Sequence, residues 1–172
     1  MKRIERNTTA ILGSLCAACV LAAATAVEAG SASTSLALSA SVASNCTIAS
    51  SAVSFGTYDP VVGNVSSNLD GTGSVTVACT KGATATIALN LGANASGSTR
   101  RLGDGSGNFL TYEIYQDSSR VTVWSNSGGG LLTPAAAPSA APRSFTAYGR
   151  VASGQDVPPG SYTDSVTATV NF

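Results

Sequence analysis

The 172-residue chain balances nine Lys and Arg against nine Asp and Glu, and it contains no histidine. Such a neutral chain offers no basic field for nucleic acid or an anionic membrane, and without histidine neither a Ser-His-Asp nor a Cys-His catalytic site can be built. Glu113 and Asp117 are the nearest approach to a glycosidase pair, but carboxylates of this kind are ordinarily solvated surface groups.

In chain order, Lys2, Arg3 and Arg6 precede an Ala-, Leu- and Val-rich run from Ala10 to Val27, the two-part pattern of an export signal. Small residues around Val27-Glu28-Ala29 place the expected cut after Ala29. The boundaries then read 1–29 signal, 30–44 leading extension and 45–172 one folded domain. The apolar run is short and is followed by Gly and Ser without a stop-transfer pattern, which argues against stable membrane insertion. Roughly 140 residues remain, enough for one domain with a real core. Cys16 and Cys19 leave with the signal, so Cys46 and Cys79 enter an oxidising compartment as an even pair, which reads as one disulfide. Closing a segment of 33 residues, it stabilises by roughly 3 to 4 kcal/mol in chain-entropy terms. Two thiolates without histidine make no zinc site, and no cofactor is expected.

The segment from Ser33 to Ala43 alternates, with Leu36, Leu38, Ala40 and Val42 on one strand face. Periodicity leaves two readings open: the first strand of its own domain, or a strand given to a neighbouring molecule. Strand patterns continue through Ser74–Cys79 and Thr84–Leu91. Phe109–Tyr115 and Val121–Trp124 flank a polar turn at Gln116–Ser119 and predict a hairpin. Phe145–Val151 and Tyr162–Phe172 complete the set, and no stretch carries a helical period. Gly-, Asn- and Asp-rich clusters at 70–73 and 103–108 separate the strands as turns; the second lacks the Lys-Ser/Thr of a phosphate loop and the spaced acids of a calcium loop. Ser125–Arg143, with three consecutive glycines and Pro134, Pro138 and Pro142, reads as an exposed loop. Tyr162 after Pro159-Gly160 is suited to plug a sandwich corner with its hydroxyl on backbone. Arg150 is expected to pair with Asp164 or Asp156, and Gly149 to allow a close approach. Trp124 reads as core or loop anchor. These signals predict an all-β sandwich or barrel.

Cys46-Thr47-Ile48 and Val53-Ser54-Phe55-Gly56-Thr57-Tyr58-Asp59-Pro60, followed by Val75–Thr80, Arg101-Leu102, Leu110–Asp117 and Trp124, stand in a recognisable order. Tyr148-Gly149-Arg150-Val151, Gln155, Pro159-Gly160-Ser161-Tyr162-Thr163-Asp164 and Val170-Asn171-Phe172 continue it. The succession resembles the spore coat protein U domain, the pilin domain of archaic chaperone-usher systems. The resemblance implies an incomplete immunoglobulin-like β-sandwich that lacks one strand, with Phe55, Gly56, Tyr58, Tyr148, Gly149, Arg150, Gly160 and Tyr162 in structural roles. It also implies that residues 33–43 are the donor strand of a surface pilus subunit serving adhesion and biofilm formation. The partners it implies are a periplasmic pilus chaperone, an outer-membrane usher and further copies of the chain or related pilins. The Ala/Pro-rich stretch from Leu131 to Arg143 is longer than that pattern leads one to expect. Two other readings keep the same fold: a self-complemented secreted coat or matrix protein, and a sugar-binding tip adhesin with Trp124 and Tyr148 as stacking residues.

Overall fold

The computed structural model describes residues 28–172. Of the expected signal, 1–29, all but Glu28 and Ala29 lies outside the described residues, as do Cys16 and Cys19. The chain divides after Ser39. The leading unit, described from Glu28, has no regular secondary structure, and its Leu36 and Leu38 are exposed.

Among the described residues all strands belong to the second unit, Ala40–Phe172. They are β1 (Cys46–Ser54), β2 (Leu69–Cys79), β3 (Thr86–Leu89), β4 (Arg100–Gly103), β5 (Phe109–Tyr115), β6 (Arg143–Val151) and β7 (Ala168–Asn171). Five form an antiparallel sheet in the order β1-β2-β6-β5-β4, and β3 pairs with β7 in a second, two-stranded sheet. The alternation along β5 runs strictly between half-buried and buried, so Leu110, Tyr112 and Ile114 face inward. With Val75, Val77, Ala147 and Val151 from the large sheet and Ile87 and Leu89 from the small one, they build a single core around Trp124. The fold is therefore the expected all-β sandwich. The expected disulfide joins Cys46 to Cys79, which stand directly opposite each other on β1 and β2.

Four stretches differ from the sequence reading. Residues 70–73, expected as a turn, lie inside β2, where Asp70, Gly71, Thr72 and Gly73 pair with Arg150, Gly149, Tyr148 and Ala147 of β6. Val121–Trp124 forms no strand: only Val123 bridges Tyr115, and Trp124 turns inward, fully buried, its Nε1 donating to the Ile87 carbonyl at 2.9 Å. The stretch Ser125–Arg143 is not wholly an exposed loop. Leu132 exchanges both backbone hydrogen bonds with Ile87, and Ala137, 2% exposed, does the same with Gly82 and Ala83. This stretch therefore covers the outer edge of β3 in place of a regular strand. Finally, Tyr162–Phe172 is one strand only over Ala168–Asn171, because the segment changes sheets. Thr163 bonds both ways to Gly103 on β4, whereas Ser165 and Thr167 accept from Ala93 and Asn90 beside β3. Asp164 is the crossing point.

Candidate functional site

The two sheets do not close over their core on the side where β1 and β7 lie. Hydrogen bonds from Thr80 N to Asn45 O and from Asn90 N to Thr167 O fix the alternation along both strands. It follows that the backbone groups of Ile48 and Ser50 on β1, and of Val166, Ala168 and Val170 on the terminal segment, point away from their paired neighbours. Among the described residues those groups of the terminal segment have no hydrogen-bond partner. A cleft of about 280 Å³ lies between these edges, walled by Ser50–Val53 and by Asp164–Val166 with Ala168, and floored by Val75, Tyr112, Ile114 and Ala147. Ile48 faces the core side of β1 opposite the fully buried Val77, yet it remains 37% exposed.

One end of the furrow is shut. Cys46 and Val170 pack together there on a small cluster of Cys79, Ala85 and Ala137. At the other end the furrow continues into a wider cleft of about 980 Å³ between residues 53–61 and 156–164, which shares Val53, Phe55, Leu102 and Asp164 with the first. Cys46 lies near Val170, and Ser50–Val53 near Asp164–Ala168. The two walls thus run in opposite directions, and a strand laid between them would run parallel to one and antiparallel to the other. Such a site offers main-chain hydrogen bonds and apolar area.

Phe55 divides the two clefts. Gly71 and Gly149 are cross-strand partners on β2 and β6, and a Cβ on Gly149 would stand 2.7 Å from the Phe55 ring and from Val53 Cγ1. Gly149 is thus required by the aromatic and Val53 seated on it, and Gly71 by the Ser54 carbonyl as well as by the ring. Gly56, at φ +79°, turns the chain out of this contact. Tyr58 then donates to Ala152 O at 3.0 Å and accepts from Gln155 N at 2.9 Å, tying the loop to the end of β6. Tyr162 donates to Pro158 O at 2.8 Å, four residues upstream, and Gly160 lies against its ring. Tyr148 faces outward beneath the Arg120 guanidinium.

Arg150 does not pair with Asp164 or Asp156. Cross-strand register sets Asp70 directly opposite it, and the two form a bidentate pair at 2.7 and 2.9 Å. Asp164 instead accepts from the Tyr112 hydroxyl at 2.6 Å and from Asn94 N at 3.0 Å. Burial, and then the bond to Asp164, push the Tyr112 phenol well above its ordinary range, so it stays protonated. Arg100 escaped sequence reasoning. Fully buried, it donates to the carbonyls of Leu89, Asn90 and Trp124 and pairs with Glu113. The sequence signal was only its place ahead of Arg101-Leu102.

The chemistry on offer is binding. Glu113 is held by Arg100, and Asp117 caps a turn by accepting from Val121 N and Thr122 N, so each has a structural task. Asp104 likewise closes its own turn onto Ser106 and Asn108. Among the described residues no group of His, Cys, Asp and Glu could hold a metal ion, and no helix is long and apolar enough to cross a membrane. Full burial also removes Trp124 as a sugar-stacking surface. Leu36, Leu38, Ala40 and Val42 are all exposed and lie in no strand.

Comparison with known proteins agrees with this architecture. The model of the Spore Coat Protein U domain matches residues 32–169. A protein named Protein U, from Myxococcus xanthus, is 38% identical over 177 aligned positions, covering 91% of this chain and 93% of that protein. Among solved structures, the fold is similar to a chain in the chaperone–tip adhesion subunit pre-assembly complex from the archaic chaperone-usher Csu pili of Acinetobacter baumannii. The TM-score is 0.55 at 23% identity, over 76% of this chain and 40% of that one. On the family match and the Protein U relationship together, the chain belongs to the Spore Coat Protein U domain family.

Proposed function

We propose that this protein is an exported structural subunit of a surface coat or pilus, and that its copies join head to tail by donating residues 33–43 to the furrow of the next copy. The observation that carries this reading is the furrow itself, an apolar floor bordered by two unpaired strand edges. The leading segment has the complementary pattern, with Leu36, Leu38 and Val42 exposed at 81%, 85% and 85%. Covering two Leu and one Val stabilises a joint by roughly 1.5 to 3 kcal/mol each before ordering costs. A subunit that gives at one end and receives at the other makes a heterologous contact, and such contacts propagate into an open fibre unless the rotation closes.

Unpaired edges also aggregate. A periplasmic chaperone that occupies the furrow until assembly meets that hazard, in keeping with the solved neighbour, which was captured with a chaperone. An outer-membrane usher would then exchange chaperone for incoming strand. Adhesion and biofilm formation follow as roles of the assembled surface.

The test is Leu38→Asp in the full chain, expressed with its export signal. Export should persist while polymer resistant to mild denaturant disappears. Normal polymer from this variant, or a wild-type mature chain that remains a stable monomer at high concentration, would discard the donor assignment and leave a self-complemented coat protein.

A further inference from the structure

The wall of the furrow formed by the terminal segment is thinly attached. Thr163 is still bonded to β4 of the large sheet, whereas Ser165 and Thr167 already belong to the small sheet, so Asp164 sits where the chain passes from one layer to the other. At that point its carboxyl reaches in two directions. One oxygen takes the Asn94 N–H on its own layer, and the other takes the hydroxyl of Tyr112, which rises from β5 on the floor of the furrow. Gly92 admits this arrangement, since a Cβ there would collide with Oδ2 of Asp164. The hydroxyl is a neutral donor and 7% of Tyr112 is exposed, so the bond is shielded from water over most of its surroundings.

We infer that the Tyr112–Asp164 hydrogen bond is an inter-sheet brace that fixes the spacing between floor and wall of the furrow, making these two positioning residues for uptake of a donor strand. The inference rests on the reading of the furrow as a strand acceptor and assigns the groups that keep it ready. An incoming strand must find the N–H and C=O groups of Val166, Ala168 and Val170 in line. A wall held in place beforehand removes the ordering cost from the binding step. Phe55 touches Tyr112 with ring centroids 6.0 Å apart, so the brace also steadies the divider between the two clefts.

The experiment uses the full chain carrying Leu38→Asp, whose own leading segment cannot compete, and a fluorescent peptide of residues 33–43 as probe. Tyr112→Phe removes this bond alone, and Asp164→Ala removes it together with the bond from Asn94 N. Asp164→Asn keeps it with the direction reversed, its amide donating to the tyrosine oxygen while its carbonyl serves Asn94. Expected are a peptide affinity about tenfold weaker for Tyr112→Phe and for Asp164→Ala, no further loss on combining them, and near wild-type affinity for Asp164→Asn. Amide exchange in the free protein at Ala93 and Asn90, whose N–H groups are bonded to the Ser165 and Thr167 carbonyls of the wall, should quicken in the two disrupting variants and not in Asp164→Asn. Full peptide affinity in Tyr112→Phe, or unchanged exchange at these two amides, overturns the brace while leaving the acceptor furrow standing. A parent chain that fails to take up the peptide at all removes the furrow reading and this one with it.

Discussion

Ile48 and Val77 face each other across β1 and β2 on the same side of the sheet, yet Val77 is fully buried and Ile48 is 37% exposed. Val77 belongs to the core cluster that includes Ile87, Leu89 and Trp124, whereas Ile48 lies outside it. Their truncations should therefore separate. Val77→Ala is expected to cost about 2 kcal/mol in urea unfolding through lost burial and an unfilled cavity. Ile48→Ala should cost under about 1 kcal/mol in the isolated chain, and it should weaken assembly much more than stability. Equal losses for the two would mean that the domain covers its own Ile48 in solution.

Gly149 is predicted to be as sensitive as a core residue. Gly149→Ala drives a methyl into the Phe55 ring and Val53 at 2.7 Å, and overpacking of this kind costs about 1 to 3 kcal/mol. Shrinking the ring with Phe55→Leu in the same chain should recover part of the loss. Chemical denaturation of the two single variants and the double variant checks this, and additive losses would show that the aromatic is not what excludes the side chain.

How much of this was legible in the sequence depends on the range of the signal. The alternation that marks β2, β5 and β6 is local, written by burial of one sheet face, and the pairing of Cys46 with Cys79 needed only compartment and count. The Tyr162 hydroxyl meets a carbonyl four residues away, so its corner is also a short-range matter. The local sequence points Arg150 to the wrong acids because its partner, Asp70, is eighty positions distant and is selected by strand register, which no local pattern records. Arg100 stayed hidden for a related reason: an arginine at the start of a short strand ordinarily points to water. Its burial follows from three carbonyls contributed by two distant segments, Leu89 and Asn90 at the end of β3 and Trp124. The furrow is harder still, being a missing neighbour. Nothing in the pattern of β1 or β7 distinguishes an edge that is covered from one that is bare.

Acid should erode the Asp70 site in a defined window. The Arg150 guanidinium holds the Asp70 carboxyl below its ordinary value of 3.8, with Arg120 adding to the effect. A carboxyl depressed in the folded state contributes stability that is complete above its unfolded value and is lost as pH falls through the lower, folded one. Wild-type protein and Asp70→Asn should therefore differ in unfolding free energy by a constant amount from neutral pH down to about pH 5, and the gap should close below about pH 4. The gap itself is small, since the pair is partly exposed and screened by salt. A difference that widens with acid would place the protonation elsewhere.

Arg100 gives the largest predicted loss. Its guanidinium is fully buried and bonded to the carbonyls of Leu89, Asn90 and Trp124 as well as to Glu113, so it joins β3, β4 and the segment leading out of Trp124 at one point. Arg100→Ala leaves three carbonyls without their donor and Glu113 without its cation, and breaking a pair with a buried partner in this way costs about 3 to 5 kcal/mol. Arg100→Lys should be nearly as damaging, because a single ammonium cannot span acceptors spread around a planar fork. Arg100→Met combined with Glu113→Gln removes the uncompensated charge and should regain part of the loss, leaving the carbonyls unserved. Thermal and urea unfolding of the three variants would rank them, and a lysine variant as stable as the parent would mean that the guanidinium acts here through its charge alone.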